Sequence, residues 1–223
     1  QRVSPSLTES SNYIYLNEKL FNRVKAVYDQ RASLNLNTED AKLLEETFRS
    51  FQEKGANLNS ADKEKYKELT KELSLLTLQF DQNSLKDQNR FEMLLTDPKE
   101  VAGLPESALD AAKFAAKEKG KEGWLFTLDA PSYGAFVKYA DSRDLREKMY
   151  KAFMSVGNKG DEYDNQEIIR KIVNDRLAIA KLMGYPNYAA FELSHKMAKN
   201  SENVYKLLNQ LLDAYKPVAI NEY

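Results

Sequence analysis

The segment SADKEKYKELTKELSLLTLQF, residues 60–80, shows the pattern that decides the fold. Its apolar residues recur at steps of three and four, which is the spacing of one face of an α-helix. The residues of this apolar stripe are Tyr66, Leu69, Leu73, Leu76 and Phe80. Lysine and glutamate lie between them, as on the solvated side of a helix. We predict a helix that begins near Ser60 and carries Phe80.

Helical spacing continues on both sides of this segment, so most of the chain is predicted to be α-helical. The other predicted helices cover 14–28, 38–51, 106–119, 131–139, 145–153, 168–183, a short stretch from Pro186 and a last stretch from Ser201 to near Tyr223. Asn37, Asp141, Asp164 and Asn200 are placed to cap four of these helices, because short polar side chains accept hydrogen bonds from the first free amides.

Two short stretches break the helical pattern. RFEMLLT, residues 90–96, alternates in polarity and is closed by Asp97 and Pro98. WLFTL, residues 124–128, follows a turn with two glycines. Alternation bounded by turn residues indicates strands, and an isolated pair of strands needs helices to pack on. We predict a mostly α fold with a small two-stranded β-ribbon near 91–95 and 124–128.

Composition excludes several classes of function. The 223 residues include 33 basic and 34 acidic ones, so we expect no nucleic-acid partner. Without cysteine the chain has no disulfide, thiolate zinc site or cysteine nucleophile. No apolar run approaches the roughly 20 residues that span a membrane. We expect no membrane partner and a cytoplasmic location; the periplasm and export stay open as alternatives because the chain begins at Gln1, without its true N-terminus.

The single histidine, His195, is a candidate metal ligand. Glu192 and His195 form a Glu-x-x-His step, which carboxylate-bridged di-iron bundles use in pairs. A second such step is impossible with one histidine, and so is a His-Glu-x-x-His zinc motif. We therefore interpret His195 as a helix-surface or capping histidine. No nucleophile elbow or glycine-rich phosphate loop is present either.

Two further features have structural interpretations. Arg176 lies on or beside the apolar stripe of its helix, and we predict that its side chain either reaches out to solvent or pairs with a carboxylate of another helix, rather than contacting a ligand. The loop GNKGDEYDN, residues 157–165, lacks the alternating acids of a calcium loop and is interpreted as a turn that feeds a helix cap. The sequence therefore offers no catalytic, cofactor-binding or metal-ligating residue.

Several phrases, in this order, resemble the thimet oligopeptidase family of zinc metallopeptidases, most closely the bacterial dipeptidyl carboxypeptidases. They are YLNEKLF at 15–21, EGWL at 122–125, RDLREKMYKAF at 143–153, RLAIAKLMGYPNYA at 176–189 and MAKN at 197–200. Asn200 departs from the threonine expected there, but both residues cap helices. The resemblance covers essentially all 223 residues.

The resemblance implies that residues 1–223 form a single helical N-terminal region, the channel wall of a neurolysin-like peptidase fold. In the family, the zinc ligands, two histidines and a glutamate, lie further downstream, and another glutamate activates the metal-bound water. The parent would remove C-terminal dipeptides from oligopeptides. This chain alone would hold no zinc and be inactive, because the catalytic domain would lie beyond residue 223.

The last predicted helix points the same way. Its helical spacing continues almost to Tyr223 without a glycine or cap, which indicates that the chain continues. Without the missing C-terminal half, apolar surface would be exposed, and the isolated chain could dimerise through it. The alternative is a stand-alone helical protein-interaction module without enzymatic activity.

Overall fold

The computed structural model describes residues 3–222 and confirms the mostly α prediction. Within this range it contains ten α-helices, one short 3-10 helix at Pro98–Val101 and two strands. The helices are α1 (Ser4–Tyr15), α2 (Glu18–Asp29), α3 (Thr38–Glu53), α4 (Ser60–Asn89), α5 (Glu106–Glu118), α6 (Ala130–Tyr139), α7 (Arg143–Met154), α8 (Gln166–Leu182), α9 (Tyr188–Leu193) and α10 (Ser201–Glu222); the strands are β1 (Met93–Leu95) and β2 (Trp124–Phe126).

The chain divides into two compact units, and the boundary falls within α4 and within α8. The first unit comprises the residues up to Leu76 together with those from Lys171, and the second is Thr77–Arg170. Each unit has its own hydrophobic core, described separately below. The single region 1–223 expected from the sequence stays a prediction about the organisation of the parent protein.

The predicted β-ribbon is confirmed in the second unit. β1 and β2 pair antiparallel, with Met93 opposite Phe126 and Leu95 opposite Trp124. Helices cover the ribbon, because two strands alone bury too little apolar surface. The Phe126 and Phe136 rings meet edge to face with centroids 4.7 Å apart. The buried core of this unit consists of Met93, Leu95, Val101, Leu104, Ala112, Phe126, Leu128, Phe136, Ala140 and Met149.

Gly123 permits the close approach of the two strands. Its φ is +110°, a conformation that residues with a side chain rarely adopt. A Cβ atom here would overlap the carbonyl oxygen of Leu95 on the neighbouring strand. Gly120 also has a positive φ of +66°, but a Cβ atom there would meet nothing within 4 Å. The two glycines of one turn therefore have different roles.

The first unit differs from the sequence prediction at its start. The predicted helix over 14–28 is confirmed from Glu18 onward, but it is not continuous with the residues before it, because the chain leaves helical conformation at Asn17. The Asn17 side chain accepts a hydrogen bond from the Leu20 amide at 3.0 Å and caps α2. α1 precedes this break and was not predicted, since its sequence SPSLTESSNYIY is mostly polar. An asparagine inside an apolar periodicity can stop a helix by bonding to the backbone itself.

The core of the first unit consists of two small clusters. One joins Leu16, Tyr66 and Ile179, and the other joins Phe21, Phe51 and Ala56. Burial raises the pKa of the Tyr66 hydroxyl to about 12, and the nearby Tyr188 adds to the rise. The Tyr66 side chain therefore stays neutral at physiological pH.

Most of the predicted helix caps are confirmed. The Asn37 side chain accepts from the Asp40 amide at 2.8 Å, and Asn200 accepts from the Asn203 amide at 2.9 Å. Asp164 accepts from the Gln166 amide at 2.9 Å, where α8 begins.

Two predicted helix starts are wrong by one or two residues. Ser142, not Asp141, caps α7 through the Leu145 amide, while the Asp141 amide donates to the Ala102 carbonyl oxygen at 2.9 Å. α9 begins at Tyr188 and not at Pro186, because Asn187 accepts from the Ala190 amide and is its cap.

Gly123→Ala should destabilise the second unit more than the matched change Gly120→Ala. We expect Gly120→Ala to lower the free energy of unfolding by about 1 kcal/mol through its positive φ alone. Gly123→Ala adds the overlap with Leu95 and should cost at least about 3 kcal/mol. Urea denaturation followed by fluorescence of Trp124, the one tryptophan of the chain, measures both. Equal costs would contradict the close approach described here.

Candidate functional site

His195 lies at the surface, in the turn that follows α9. Because α9 ends at Leu193, Glu192 and His195 do not share a continuous helix. The side chain is 39% exposed, and its Nε2 atom lies 3.6 Å from Oε1 of Glu53. The one carboxylate beside the histidine therefore comes from α3 and not from the Glu-x-x-His step.

The donor groups of the described chain do not fit the zinc site that the family resemblance implies. Such a site takes two histidines and a glutamate, whereas this chain has one histidine and no cysteine. Among residues 3–222, no group of three or more histidine, aspartate or glutamate side chains lies where it could hold a metal ion. No chemistry through zinc can be assigned to these residues.

The Arg176 side chain reaches solvent, which is one of the two structural outcomes predicted for it. The residue is exposed rather than on the buried side of α8. Its guanidinium carbon lies 5.3 Å from the centre of the Tyr188 ring, a distance typical of a cation–π contact. The spacing of α8 left open whether Arg176 lies on the apolar stripe or beside it, and a long side chain can reach solvent from either position.

The most enclosed charged group of the second unit is Asp87 on α4, whose side chain has no exposed surface. One carboxylate oxygen accepts from the Gly157 amide at 2.7 Å. The other accepts from Lys159 Nζ at 2.8 Å and from Arg90 Nε at 2.6 Å. A buried carboxylate with three donors is stabilised as the anion, and without exposed surface it is not accessible to a substrate.

The same contacts hold the loop 157–165 against α4. Arg90, which binds Asp87, also binds Asp161, and its guanidinium carbon lies 5.0 Å from the centre of the Tyr163 ring. Asp164 accepts from the Gly160 amide at 2.7 Å as well as capping α8. The loop is therefore a structured turn that feeds a helix cap, as its sequence predicted.

A buried amide pair completes this attachment. Asn165, 2% exposed, accepts from Asn83 Nδ2 at 3.1 Å. Its own amide donates to the Phe80 carbonyl oxygen at 3.2 Å and to Ser84 Oγ at 3.1 Å. Buried polar groups need such partners, and these ones are satisfied. We define Asp87, Arg90, Lys159, Asn83 and Asn165 as the loop clasp; its role in this geometry is structural.

The pKa of Asp87 lies below its ordinary value. Burial, the largest single cause, would raise this pKa, but the hydrogen bonds from Lys159 and the Gly157 amide together with the charges of Lys159 and Arg90 outweigh it. The carboxylate is thus ionised at neutral pH and cannot serve as a general acid there. No local sequence pattern marks Asp87, because its partners Gly157 and Lys159 are about 70 residues away.

In the first unit, Asp175 on α8 is a carboxyl group whose pKa is raised rather than lowered. Its Oδ2 atom is the one buried side-chain oxygen or nitrogen among residues 3–222 without a hydrogen-bond partner. Burial, followed by the charge of Glu72, raises the pKa of this carboxyl, while Lys171 partly opposes the rise. An unpaired buried oxygen costs stability.

A groove between α4 and α8 lies in the same unit. It has a volume of about 600 Å³. Its lining residues are Asp62, Lys65, Glu68, Leu69, Glu72, Ala178, Lys181 and Leu182. The lining mixes both signs of charge and contains no nucleophile paired with a base, so the groove has no catalytic arrangement of its own.

Asp87→Asn should destabilise the second unit, because it leaves Lys159 and Arg90 without their shared anion. We expect a loss of about 3 kcal/mol at pH 7, as for removal of one partner from a buried ion pair. Because the folded pKa is lowered, the stabilisation is present above the unfolded pKa near 4 and is lost as the pH falls through the folded pKa. Variant and parent should converge in acid.

Asp81→Asn on the exposed side of the same helix is the matched control. We expect it to change the free energy of unfolding by less than about 0.5 kcal/mol. Urea denaturation followed by Trp124 fluorescence at several pH values measures both variants. Equal effects of the two substitutions would show that the clasp carries no stability.

Asp175→Ala should stabilise the first unit by about 1 kcal/mol at pH 7, because it removes an unpaired buried oxygen and its repulsion from Glu72. A raised folded pKa means that the parent loses stability as the pH rises above about 4. The advantage of the variant should therefore vanish in acid. Asp213→Ala at an exposed position is the control, and calorimetry across pH measures both. A variant less stable than the parent at pH 7 would refute this account of Asp175.

Comparison with known proteins finds a family model that matches the last part of the chain and relatives that are similar along nearly all of it. The sequence model of Peptidase family M3 matches residues 136–223. Oligopeptidase A of Haemophilus influenzae is 34% identical over 221 residues, which is 97% of this chain and 32% of that protein. Dipeptidyl carboxypeptidase of Escherichia coli is 34% identical over 223 residues, 100% of this chain and 33% of that protein.

A plant protein shows similarity of the same extent. The protein named Probable cytosolic oligopeptidase A of Arabidopsis thaliana is 34% identical over 229 residues, 100% of this chain and 32% of that protein. The chain thus spans about a third of the length of the curated relatives it matches. No described helix is long and apolar enough to cross a membrane. The matches confirm the resemblance predicted from the sequence: residues 136–223 are similar to peptidase family M3, and the whole chain is similar to about one third of each of these relatives.

Proposed function

We propose that the chain is the non-catalytic, substrate-channel part of a zinc metallopeptidase that removes C-terminal dipeptides from oligopeptides. The observation that carries the proposal is the similarity of the whole chain to one third of an M3 peptidase named Dipeptidyl carboxypeptidase. In this proposal, residues 1–223 form one N-terminal helical region whose helices line the channel. The zinc domain is supplied by the rest of the polypeptide.

The chemistry of the described residues supports a non-catalytic role. The buried carboxylate of Asp87 is occupied by Gly157, Lys159 and Arg90. His195 lies at the surface beside Glu53, and the contacts described for it include no nucleophile. A metallopeptidase needs ligands for its ion and a base for the attacking water, and we assign both to the remaining two thirds of the parent.

Dipeptide release is the finer part of the proposal. The relatives include both an oligopeptidase A and a dipeptidyl carboxypeptidase, each 34% identical to this chain. Their names therefore do not separate cleavage near a free C-terminus from cleavage within a peptide. We favour dipeptide release because the sequence phrases most closely resemble the dipeptidyl carboxypeptidases.

The proposed compartment is the cytoplasm. The Arabidopsis relative named as cytosolic supports this location. Oligopeptide substrates are the proposed partners, reached only through the complete enzyme. A nucleic-acid partner is not part of the proposal, because acidic and basic residues nearly balance at a net charge of −1.

The test compares this 223-residue chain with the product of the complete reading frame that contains it. Elemental analysis should find about one zinc per complete product and far less than one per 223-residue chain. N-acetylated hexapeptides with a free C-terminus, analysed by mass spectrometry, should lose a C-terminal dipeptide only with the complete product. The same hexapeptides with an amidated C-terminus are the matched control and should be cleaved much more slowly.

Each part of the proposal can fail separately. Equal cleavage of free and amidated peptides would replace dipeptide release by endopeptidase activity. One tightly bound zinc on the 223-residue chain, or hydrolysis by it, would refute the non-catalytic role. A complete product without zinc or peptidase activity would favour the stand-alone helical interaction module instead.

A further inference from the structure

Helix α10 carries an extended apolar surface that is open to solvent. Every residue of α10 except Val204 is exposed. Its large apolar side chains have 42–67% of their surface accessible. Those used in the argument below are Leu207, Leu208, Leu211, Leu212, Tyr215 and Val218. An exposed apolar surface of this extent marks a site of interaction.

Helix α10 is not expected to be stable as an isolated helix. It has 22 residues, and Pro217 lies inside it. A proline in a helix interior removes one backbone hydrogen bond and costs about 3 kcal/mol. Isolated helices are marginal in water, and most helices in proteins are stabilised by packing of an apolar face. α10 therefore requires a partner surface.

The spacing of the apolar residues shows what kind of surface this is. Val204, Leu208, Leu211, Tyr215 and Val218 follow one another at steps of four, three, four and three. This is the central stripe by which a helix faces another helix. The stripe alone does not distinguish a two-helix contact from a place in a larger helical core.

The residues on either side of the stripe make this distinction. Tyr205, Leu212 and Ala219 lie along one side, and Leu207 and Ala214 lie along the other. In two-stranded coiled coils these flanking positions usually carry charges that contact the partner helix. In α10 both flanks are apolar. The apolar face therefore takes up about four of every seven residues along the helix.

The charged and amide residues occupy the opposite side of the helix. They include Glu202, Lys206, Asn209, Gln210 and Asp213. A wide apolar face with a narrow polar strip is typical of a helix that packs against more than one element at once. A single second copy of α10 would cover the central stripe and leave the flanks open.

We propose that this face of α10 docks against the part of the M3 polypeptide that the present chain lacks, as one helix of a core built by several of its elements. The occupant is chosen because the family match runs through the whole of α10, while the relatives are about three times as long as the chain. The docking proposal rests on the proposed function, since it takes the missing two thirds as its partner. The dimer expected from the sequence is the competing occupant.

Hydrogen–deuterium exchange of the α10 amides tests the docking. In the 223-residue chain they should exchange within about tenfold of the unstructured rate, at every concentration over a roughly hundredfold range. In the product of the complete reading frame they should exchange at least about 100-fold more slowly. Equal rates in the two proteins would overturn the proposal. So would protection in the 223-residue chain that rises with its concentration, because a second copy would then be the occupant.

Two substitutions in the complete product locate the docking to the apolar face. Leu211→Gln keeps a good helix former but removes an apolar side chain from the centre of the stripe, and should speed α10 exchange at least about tenfold. Gln210→Glu, the adjacent position on the polar side, should change it by less than about twofold. The amides of β2 report whether the whole chain unfolds. If the β2 amides also exchange faster in Leu211→Gln, the milder substitution Leu211→Ala takes its place. Equal effects of the apolar and polar substitutions would overturn the proposal.

This experiment separates the two proposals. Protected α10 amides in a product without zinc or peptidase activity would refute the proposed function and leave the docking intact. A zinc-bound, active product whose α10 amides exchange as fast as in the 223-residue chain would refute the docking alone.

Discussion

An amphipathic helix is stable only where its apolar face is covered, and this constraint is met unevenly along the chain. In the second unit, helices cover the ribbon so fully that Phe136 and Met149 have no exposed surface. In the first unit, Tyr66 and Phe51 are buried, but α10 carries its leucines in solvent. The proposal that the chain is one part of a larger enzyme would account for the exposed face of α10.

The secondary structure was largely predictable because it depends on local spacing. The change from helical to alternating spacing at residues 90–96 located β1, and short polar residues such as Asn37 and Asn200 marked helix starts. The errors were local as well. Asn17 interrupts an apolar periodicity that looked continuous. For Arg176 the spacing left open whether the residue lies on the apolar stripe or beside it. Periodicity fixes which residues share a face only to within about one position.

The loop clasp could not be predicted, because it depends on contacts between distant residues. Asp87 lies on α4, and the Gly157 amide and Lys159 that stabilise its charge come from a loop about 70 residues later. The sequence gives no spacing rule for such a contact. The prediction that the chain holds no catalytic group depends on composition instead, since one histidine and no cysteine leave few combinations. The family resemblance, rather than any single residue, is what connects this helical chain with peptide hydrolysis.

The intact mass of the native protein that contains these residues tests the central claim most directly. The chain has a mass of 25.6 kDa and corresponds to about a third of its relatives. Native mass spectrometry of the protein captured from its own cells should therefore give a polypeptide about three times as heavy, with one zinc ion bound. A polypeptide near 25.6 kDa without metal would contradict the claim that this chain is part of a zinc peptidase.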